Sequence, residues 1–160
     1  MSEVIRLIDG RPQIVADDWS FDEAPDWREQ ENVIVPLAEL QADAGGARGP
    51  LGVLLAPDDD PAAAVPLFSR LALIAVKFPK FTDGRGYSTA HLLRARYHWR
   101  GELRAVGEVL LDQLFYLRRV GFDSFALRAG GDINAALRAF APFSSSYQGA
   151  FDEPRPHFAR

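Results

Sequence analysis

Two hydrophobic patterns alternate along this chain: short β-branched or aliphatic runs, and longer stretches whose apolar positions recur at helical spacing. The first predicts buried strands, the second amphipathic helices, and their alternation is the mark of βα units around a parallel sheet. Five such units can be read. Val33-Ile34-Val35 precedes a helix over Leu37 to Ala42, and Leu51 to Leu55 precedes one over Pro61 to Leu71, with Asp58-Asp59-Asp60 placed to cap it. Leu73 to Phe78 leads to a helix from about Ser88 to Trp99, in which Leu93 and Tyr97 share a face. Leu103 to Val106 leads to a helix with Leu110, Leu114 and Leu117 on one stripe, closed by Gly121-Phe122 as a left-handed cap. Ser124 to Leu127 is followed by the turn Gly130-Gly131 and a helix capped by Asp132 that runs to about Phe140.

Ahead of these units, Val4 to Ile8 and Gln13 to Val15 flank Asp9-Gly10, the dipeptide of a tight primed turn, and Pro12 assigns its strand to a sheet edge. The expected organisation is one α/β domain over residues 1–160: a β-hairpin (1–15), an irregular connection (16–32), βα repeats (33–140) and an aromatic tail (141–160). In that tail Phe143, Tyr147 and Phe151 continue a stripe begun at Phe140, suited to docking on the domain itself or on a partner. The sheet is either open and doubly wound or a partial TIM-type barrel, since periodicity does not encode strand order. Both architectures place every loop that follows a strand on one edge, where ligands bind. Pairing of the units between chains, as a homo-oligomer, is left open.

Composition narrows the chemistry. Cys is absent, which excludes thiolate nucleophiles, disulfides, and Cys-ligated zinc or iron–sulfur clusters. No apolar run approaches the ~20 residues of a spanning helix, and Met1-Ser2-Glu3-Val4 lacks the pattern of a signal peptide, so a cytoplasmic location away from membranes is expected. The net charge of −4 hides an asymmetry: residues 1–76 sum to −9, residues 77–128 to +5 and residues 129–160 to zero. Either the acidic part closes onto the basic part, or a basic face meets an anionic ligand or partner. An acidic total and the lack of any recognition motif argue against nucleic acid.

The segment Lys77-Phe78-Pro79-Lys80-Phe81-Thr82-Asp83-Gly84-Arg85-Gly86-Tyr87-Ser88-Thr89 is the richest in candidate chemistry. It reads as a loop entering a helix: Gly84 and Gly86 permit close backbone approach, Ser88 or Thr89 caps the helix, and Arg85 adds a fork of donors. It is neither a P-loop nor a dinucleotide fingerprint, because the required Lys and third Gly are missing. Arg104 with Glu108, and Arg128 with Asp132, are expected on the same edge. Three Arg converging there suit a small oxyanion, a phosphate or a carboxylate. The expected ligand-binding set is therefore Lys80, Asp83, Gly84, Arg85, Gly86, Ser88, Arg104, Glu108 and Arg128. Internal salt bridges at the surface are the competing reading of each Arg. No pair of groups specifies an acid–base mechanism, so catalytic residues and cofactor are left unassigned. His91, His98 and His157 fall in no metal-ligand pattern, and Ser144-Ser145-Ser146 lacks the context of a nucleophile.

The strings Phe78-Pro79-Lys80-Phe81-Thr82-Asp83-Gly84-Arg85-Gly86-Tyr87-Ser88, Gly101-Glu102-Leu103-Arg104-Ala105-Val106-Gly107 and Asp112-Gln113-Leu114 resemble a bacterial family of unknown function. The resemblance extends to Leu54-Leu55-Ala56-Pro57-Asp58-Asp59 and Tyr147-Gln148. Members of that family are labelled as oxidoreductases of sulfite reduction, from genes lying beside those for sulfite reductase and the activated-sulfate reductase. What the resemblance implies is a pathway, with sulfite reductase or another sulfate-assimilation enzyme as partner; it brings no catalytic residues. Lacking Cys, the chain is itself neither of those reductases. Two expectations follow: an accessory protein of assimilatory sulfate or sulfite reduction with an anion-compatible loop edge, or a small-molecule oxidoreductase using that same edge. A structural or regulatory domain with no ligand is a third.

Overall fold

A computed structural model describes residues 2–21, 27–42, 50–80, 82–128 and 130–140. Strands β1 (Glu3–Ile8) and β2 (Arg11–Ala16) form the expected antiparallel hairpin, with Ile8 opposite Arg11. Asp9 and Gly10 between them have φ of 55° and 80°, the left-handed pair that a primed two-residue turn requires. β2 is a sheet edge, where the missing N–H of Pro12 leaves no inner ladder bond unmade.

Strands β3 (Ser20–Phe21), β4 (Val33–Pro36), β5 (Leu51–Leu55), β6 (Leu71–Phe78), β7 (Glu102–Gly107) and β8 (Ser124–Phe125) all run parallel. β1 joins antiparallel to β8, giving one sheet of order β2-β1-β8-β7-β6-β5-β4-β3, open and curled as a half-barrel. The parallel strands lie side by side in chain order. Crossovers of one hand then carry every connection over the same face, so the doubly wound alternative, with a reversal of strand order and helices on both faces, does not apply.

The connections are unequal. β4 leads into α1 (Leu37–Ala42), while β5 leads into a 3₁₀ stretch, Pro61–Arg70, in which Pro66 removes an interior N–H and so disfavours a regular α-helix. β6 leads into α2 (Arg85–His91), which widens into a π-helical turn at Leu92–Arg96. β7 is followed by a 3₁₀ turn, Leu111–Gln113, and α3 (Leu114–Val120); β8 is followed by α4 (Ile133–Ala139). Gly121, at φ 122°, ends α3 as expected, and the N–H of Phe122 donates back to the Leu117 carbonyl at 3.1 Å.

Alternation along the strands sorts their side chains. Val53, Leu55, Ile74, Val76, Phe78, Leu103, Ala105 and Phe125 face the helices and build the main core with Leu93, Leu114, Leu117 and Phe122. The opposite face, helix-free among the described residues, carries a smaller cluster of Ile34, Leu73, Ala75 and Val106, against which Trp19 packs. Gly52 is needed there, since a Cβ would come within 3.3 Å of Ile34, Leu73 and Trp19 together. At the end of β7, Gly107 has φ 94°, and a Cβ on it would lie 2.5 Å from the Phe78 carbonyl oxygen. That carbonyl also accepts from the N–H of Glu108 at 2.7 Å, so the backbone has little room to yield. Gly107→Ala is expected to lose roughly 1–3 kcal/mol from the conformation alone. Urea unfolding measures it, and a loss under about 0.5 kcal/mol, the usual surface value, would contradict this account.

The aromatic stripe of residues 141–160 lies outside the described residues, as does Phe81.

Candidate functional site

The carboxyl ends of the parallel strands form one edge, and the loops leaving them hold most of the expected site. After β5, Asp60 caps the Pro61–Arg70 stretch by accepting from the Ala62 N–H at 2.9 Å, while Asp59 accepts from the preceding Ala56 N–H at 2.8 Å and so closes the turn rather than the helix. After β6, Asp83 grips Arg85 in two prongs. Its Oδ2 accepts from the Arg85 side chain at 2.8 Å, and its Oδ1 accepts from both Nε and the backbone N–H at 3.1 Å. These hydrogen bonds from Arg85 hold the Asp83 carboxyl below its usual range. The Arg85 side chain is 61% accessible and that of Asp83 15%.

This Asx turn explains why α2 begins at Arg85, three residues before the start read from sequence. Gly84 is the residue at the cap, with open space around it, and Ser88 is an exposed helical residue rather than a cap. Gly86 is small for a packing reason: a Cβ would sit 2.5 Å from the Phe78 ring, so the close approach it permits is to that ring. Lys80 is exposed on the same loop. Beyond the ends of β7 and β8, Arg128 reaches Glu108 at 3.6 Å, both about half exposed. Asp132 turns back to cap α4, accepting from Asn134 and Ala135.

Arg104 does not join them. It lies within β7 and, by alternation with Leu103 and Ala105, on the helix-free face, where 3% of its side chain is accessible. Its Nε donates to Ser124 Oγ at 2.9 Å, and its two terminal nitrogens donate to Asp17 at 2.8 Å and Glu102 at 2.9 Å. The expected convergence of three Arg is thus resolved into three separate internal partnerships: Arg85 with Asp83, Arg128 with Glu108, and Arg104 with Asp17 and Glu102. The acidic first part of the chain does close onto the basic middle at Asp17 and Arg104. Among the described residues no group of three or more His, Asp or Glu is placed to hold a metal ion.

At the opposite edge Arg94 ties the π-helical turn after α2 to the starts of β7 and β8. It donates to the carbonyls of Gly121, Trp99 and Gly101, each at 2.9 Å, and lies 3.5 Å from Asp123, which accepts from the Leu103 N–H. Burial lowers the Arg94 pKa and raises that of Asp123. With the guanidinium saturated by carbonyls, this is a structural clamp.

Sequence reading passed over a second feature, a groove of about 640 Å³ between α2 and α3. Tyr87 and His91, four apart, line one wall; Asp112 and Gln113 of the 3₁₀ turn with Tyr116, Arg119 and Val120 of α3 line the other. Tyr87 lies with its ring against the Phe78 ring, centroids 5.6 Å apart. Its pKa is raised by burial first and by the Asp112 charge second, against a hydrogen bond with Gln113. The signal was present in the sequence as two i, i+4 stripes, but it identifies a groove only once the two helices are known to be neighbours.

Residues 52–158 match the model of a family described as "Bacterial protein of unknown function (DUF934)". The chain belongs to this family. The matched region of this DUF934 protein runs from β5 onward, taking in the Asp83–Arg85 loop, Arg104 and both walls of the groove, and leaving the N-terminal hairpin outside. No curated protein and no solved structure matches the chain.

Proposed function

We propose that this DUF934 protein is an accessory protein of assimilatory sulfate or sulfite reduction that acts by binding a partner enzyme, with sulfite reductase the first candidate. The pathway comes from the resemblance carried by Phe78 to Ser88 and Gly101 to Gly107. The mode of action is supported by one observation: each Arg of the expected anion site is engaged by carboxylates of its own chain. Arg85 and Arg128, the two of them at the exposed edge, are already neutralised by Asp83 and Glu108, which disfavours capture of a free small anion there and leaves the edge to orient a docking partner. Sulfite reductase mixed with the full chain at low ionic strength is expected to co-elute with it. Absence of any complex at low and physiological salt would remove the partner assignment.

Exposed Lys80 and Arg85 keep a second reading in view, in which the same edge takes an oxyanion or phosphate-bearing ligand of an oxidoreductase. Calorimetric titration with sulfite, with sulfate and phosphate as comparison anions, separates the two. Saturable binding that prefers sulfite and is lost in Arg85→Ala would favour the small-ligand reading.

A further inference from the structure

We infer that the loop joining the π-helical turn to β7, which carries Arg96, His98 and Arg100, is a docking surface for an acidic patch on a partner protein. It lies at the edge opposite the Asp83–Arg85 loop, so it goes beyond the edge invoked above and rests on the partner-binding reading only for the natural partner. From Gly84 to Gly101 the chain holds no Asp or Glu, against Arg85, Arg94, Arg96 and Arg100 with His91 and His98. Two of these Arg are engaged, Arg85 by Asp83 and Arg94 by three carbonyls and Asp123. Arg96, His98 and Arg100 are exposed, and among the described residues their side chains have no hydrogen bond and no carboxylate partner. Arg96 rests instead over the Tyr97 ring, its Cζ 5.8 Å from the centroid.

The backbone beneath these side chains is held firmly. Trp99 is buried against Phe68, ring centroids 5.0 Å apart; its Nε1 donates to the Glu102 carbonyl at 3.0 Å and its backbone N–H to the Leu93 carbonyl at 2.8 Å. Arg94 adds its bonds to the Trp99 and Gly101 carbonyls. His98 has φ 60°, a left-handed conformation that few residues other than Gly adopt, and it turns the chain between Arg96 and Arg100. Burial lowers the Arg94 pKa and the Arg100 charge adds to that, so the fold keeps cations together here at a cost. Guanidinium groups on a preorganised loop lose little freedom on binding, and Arg with Tyr is a pairing enriched at protein interfaces. Acidic charge on the partner is complementary to them and steers its approach. A nucleic acid or an anionic membrane, extending past the loop, meets a molecule of net charge −4, with Asp123 39% accessible beside Arg94. A protein patch of a few Glu or Asp matches the loop without that repulsion.

The test uses the full chain with a labelled helical peptide bearing Glu at i, i+3, i+4 and i+7, its Lys counterpart, a labelled DNA duplex and phosphatidylglycerol vesicles, at low ionic strength. Fluorescence anisotropy follows the first three and co-sedimentation the vesicles. The Glu peptide is expected to bind saturably and to weaken as salt is added; the Lys peptide is not expected to bind. Arg96→Glu combined with Arg100→Glu is expected to weaken binding about tenfold or more, with unchanged circular dichroism and urea midpoint. Arg96→Gln with Arg100→Gln, which offers Arg94 no new carboxylate, is expected to weaken it less. Lys77→Glu with Lys80→Glu makes the same change of net charge at the other edge and is expected to have a smaller effect than either. No saturable binding, equal affinity in both Arg variants and the wild type, or an equal loss in the Lys variant would each overturn the inference. Tighter binding of the duplex or the vesicles than of the Glu peptide, lost in the Arg variants, would give the loop to another polyanion and overturn it. Self-association of the wild type that the Arg variants abolish would give it to a second copy and overturn it as well. A sulfite reductase complex that survives both Arg variants would leave the proposed function standing and sink the loop; peptide binding lost in the Arg variants without a sulfite reductase complex would do the reverse.

Discussion

Replacing Arg104 by alanine is expected to destabilise the protein by roughly 3–5 kcal/mol, the range for removing one partner of a buried ion pair. The guanidinium is saturated by Ser124, Asp17 and Glu102, and the side chains of Asp17 and Glu102 are only 14% and 12% accessible. Without it both carboxylates keep their burial and lose their main counter-charge, Glu102 retaining Arg6 at 3.8 Å. The loss also frees the segment before β3. Asp17 accepts from the Trp19 N–H at 3.0 Å, and Trp19 covers Gly52 on the helix-free face, so the ion pair anchors that cover. Arg104→Lys is expected to fall between the wild type and alanine, because an ammonium keeps the charge and loses the fork. Urea denaturation of the three proteins decides the matter: an alanine variant within about 0.5 kcal/mol of wild type, a typical surface effect, would mean that the carboxylates find water on their own.

Phe78→Ala carries an expected cost of about 3–5 kcal/mol from lost burial and the cavity left behind. The ring is 2% exposed, with Tyr87 and Phe122 rings at centroid distances of 5.6 and 5.9 Å. It also rests on Gly86, so it fixes α2 to the end of β6 and holds the Asp83–Arg85 loop in place. Gly86→Ala should therefore be disruptive in the wild type and less so when combined with Phe78→Leu, which withdraws atoms from the crowded contact. If Gly86→Ala is as harmful in the Phe78→Leu background as in the wild type, measured by thermal melting, the crowding explanation is wrong.

Local signals were legible where the chain's own chemistry decides the conformation. Asp9-Gly10 makes its turn because both residues tolerate positive φ, Gly121 ends α3 for the same reason, and Asp60 and Asp132 cap the segments that follow them. The strands were legible because unbroken β-branched and aliphatic runs have few alternatives once buried. The start of α2 was misread, since Ser88 is a good cap in isolation; Asp83 had already turned the backbone and satisfied the Arg85 N–H before Ser88 was reached.

The candidate site was less legible. Lys80, Asp83 and Arg85 lie within six residues of one another, so their nearness is written in the chain itself. Arg104 could not be placed with them, because one step along a strand moves a side chain to the other face, and the face depends on which neighbours the strand packs against. The groove needed the same kind of information: its stripes are visible in the sequence, its existence depends on α2 and α3 being adjacent.

By itself, then, the sequence determined the α/β class, the hairpin, the main turns and caps, the exclusion of thiolate chemistry and the membership that its central strings announce. Tertiary structure alone decided strand order, the single helix-bearing face, the burial of Arg104 and the meeting of α2 with α3. The division has a physical cause. Turn, cap and periodicity preferences act over a few residues and are written in them, whereas the partner of a charge and the neighbour of a helix are set by contacts between residues far apart in the chain, as Asp17 is from Arg104.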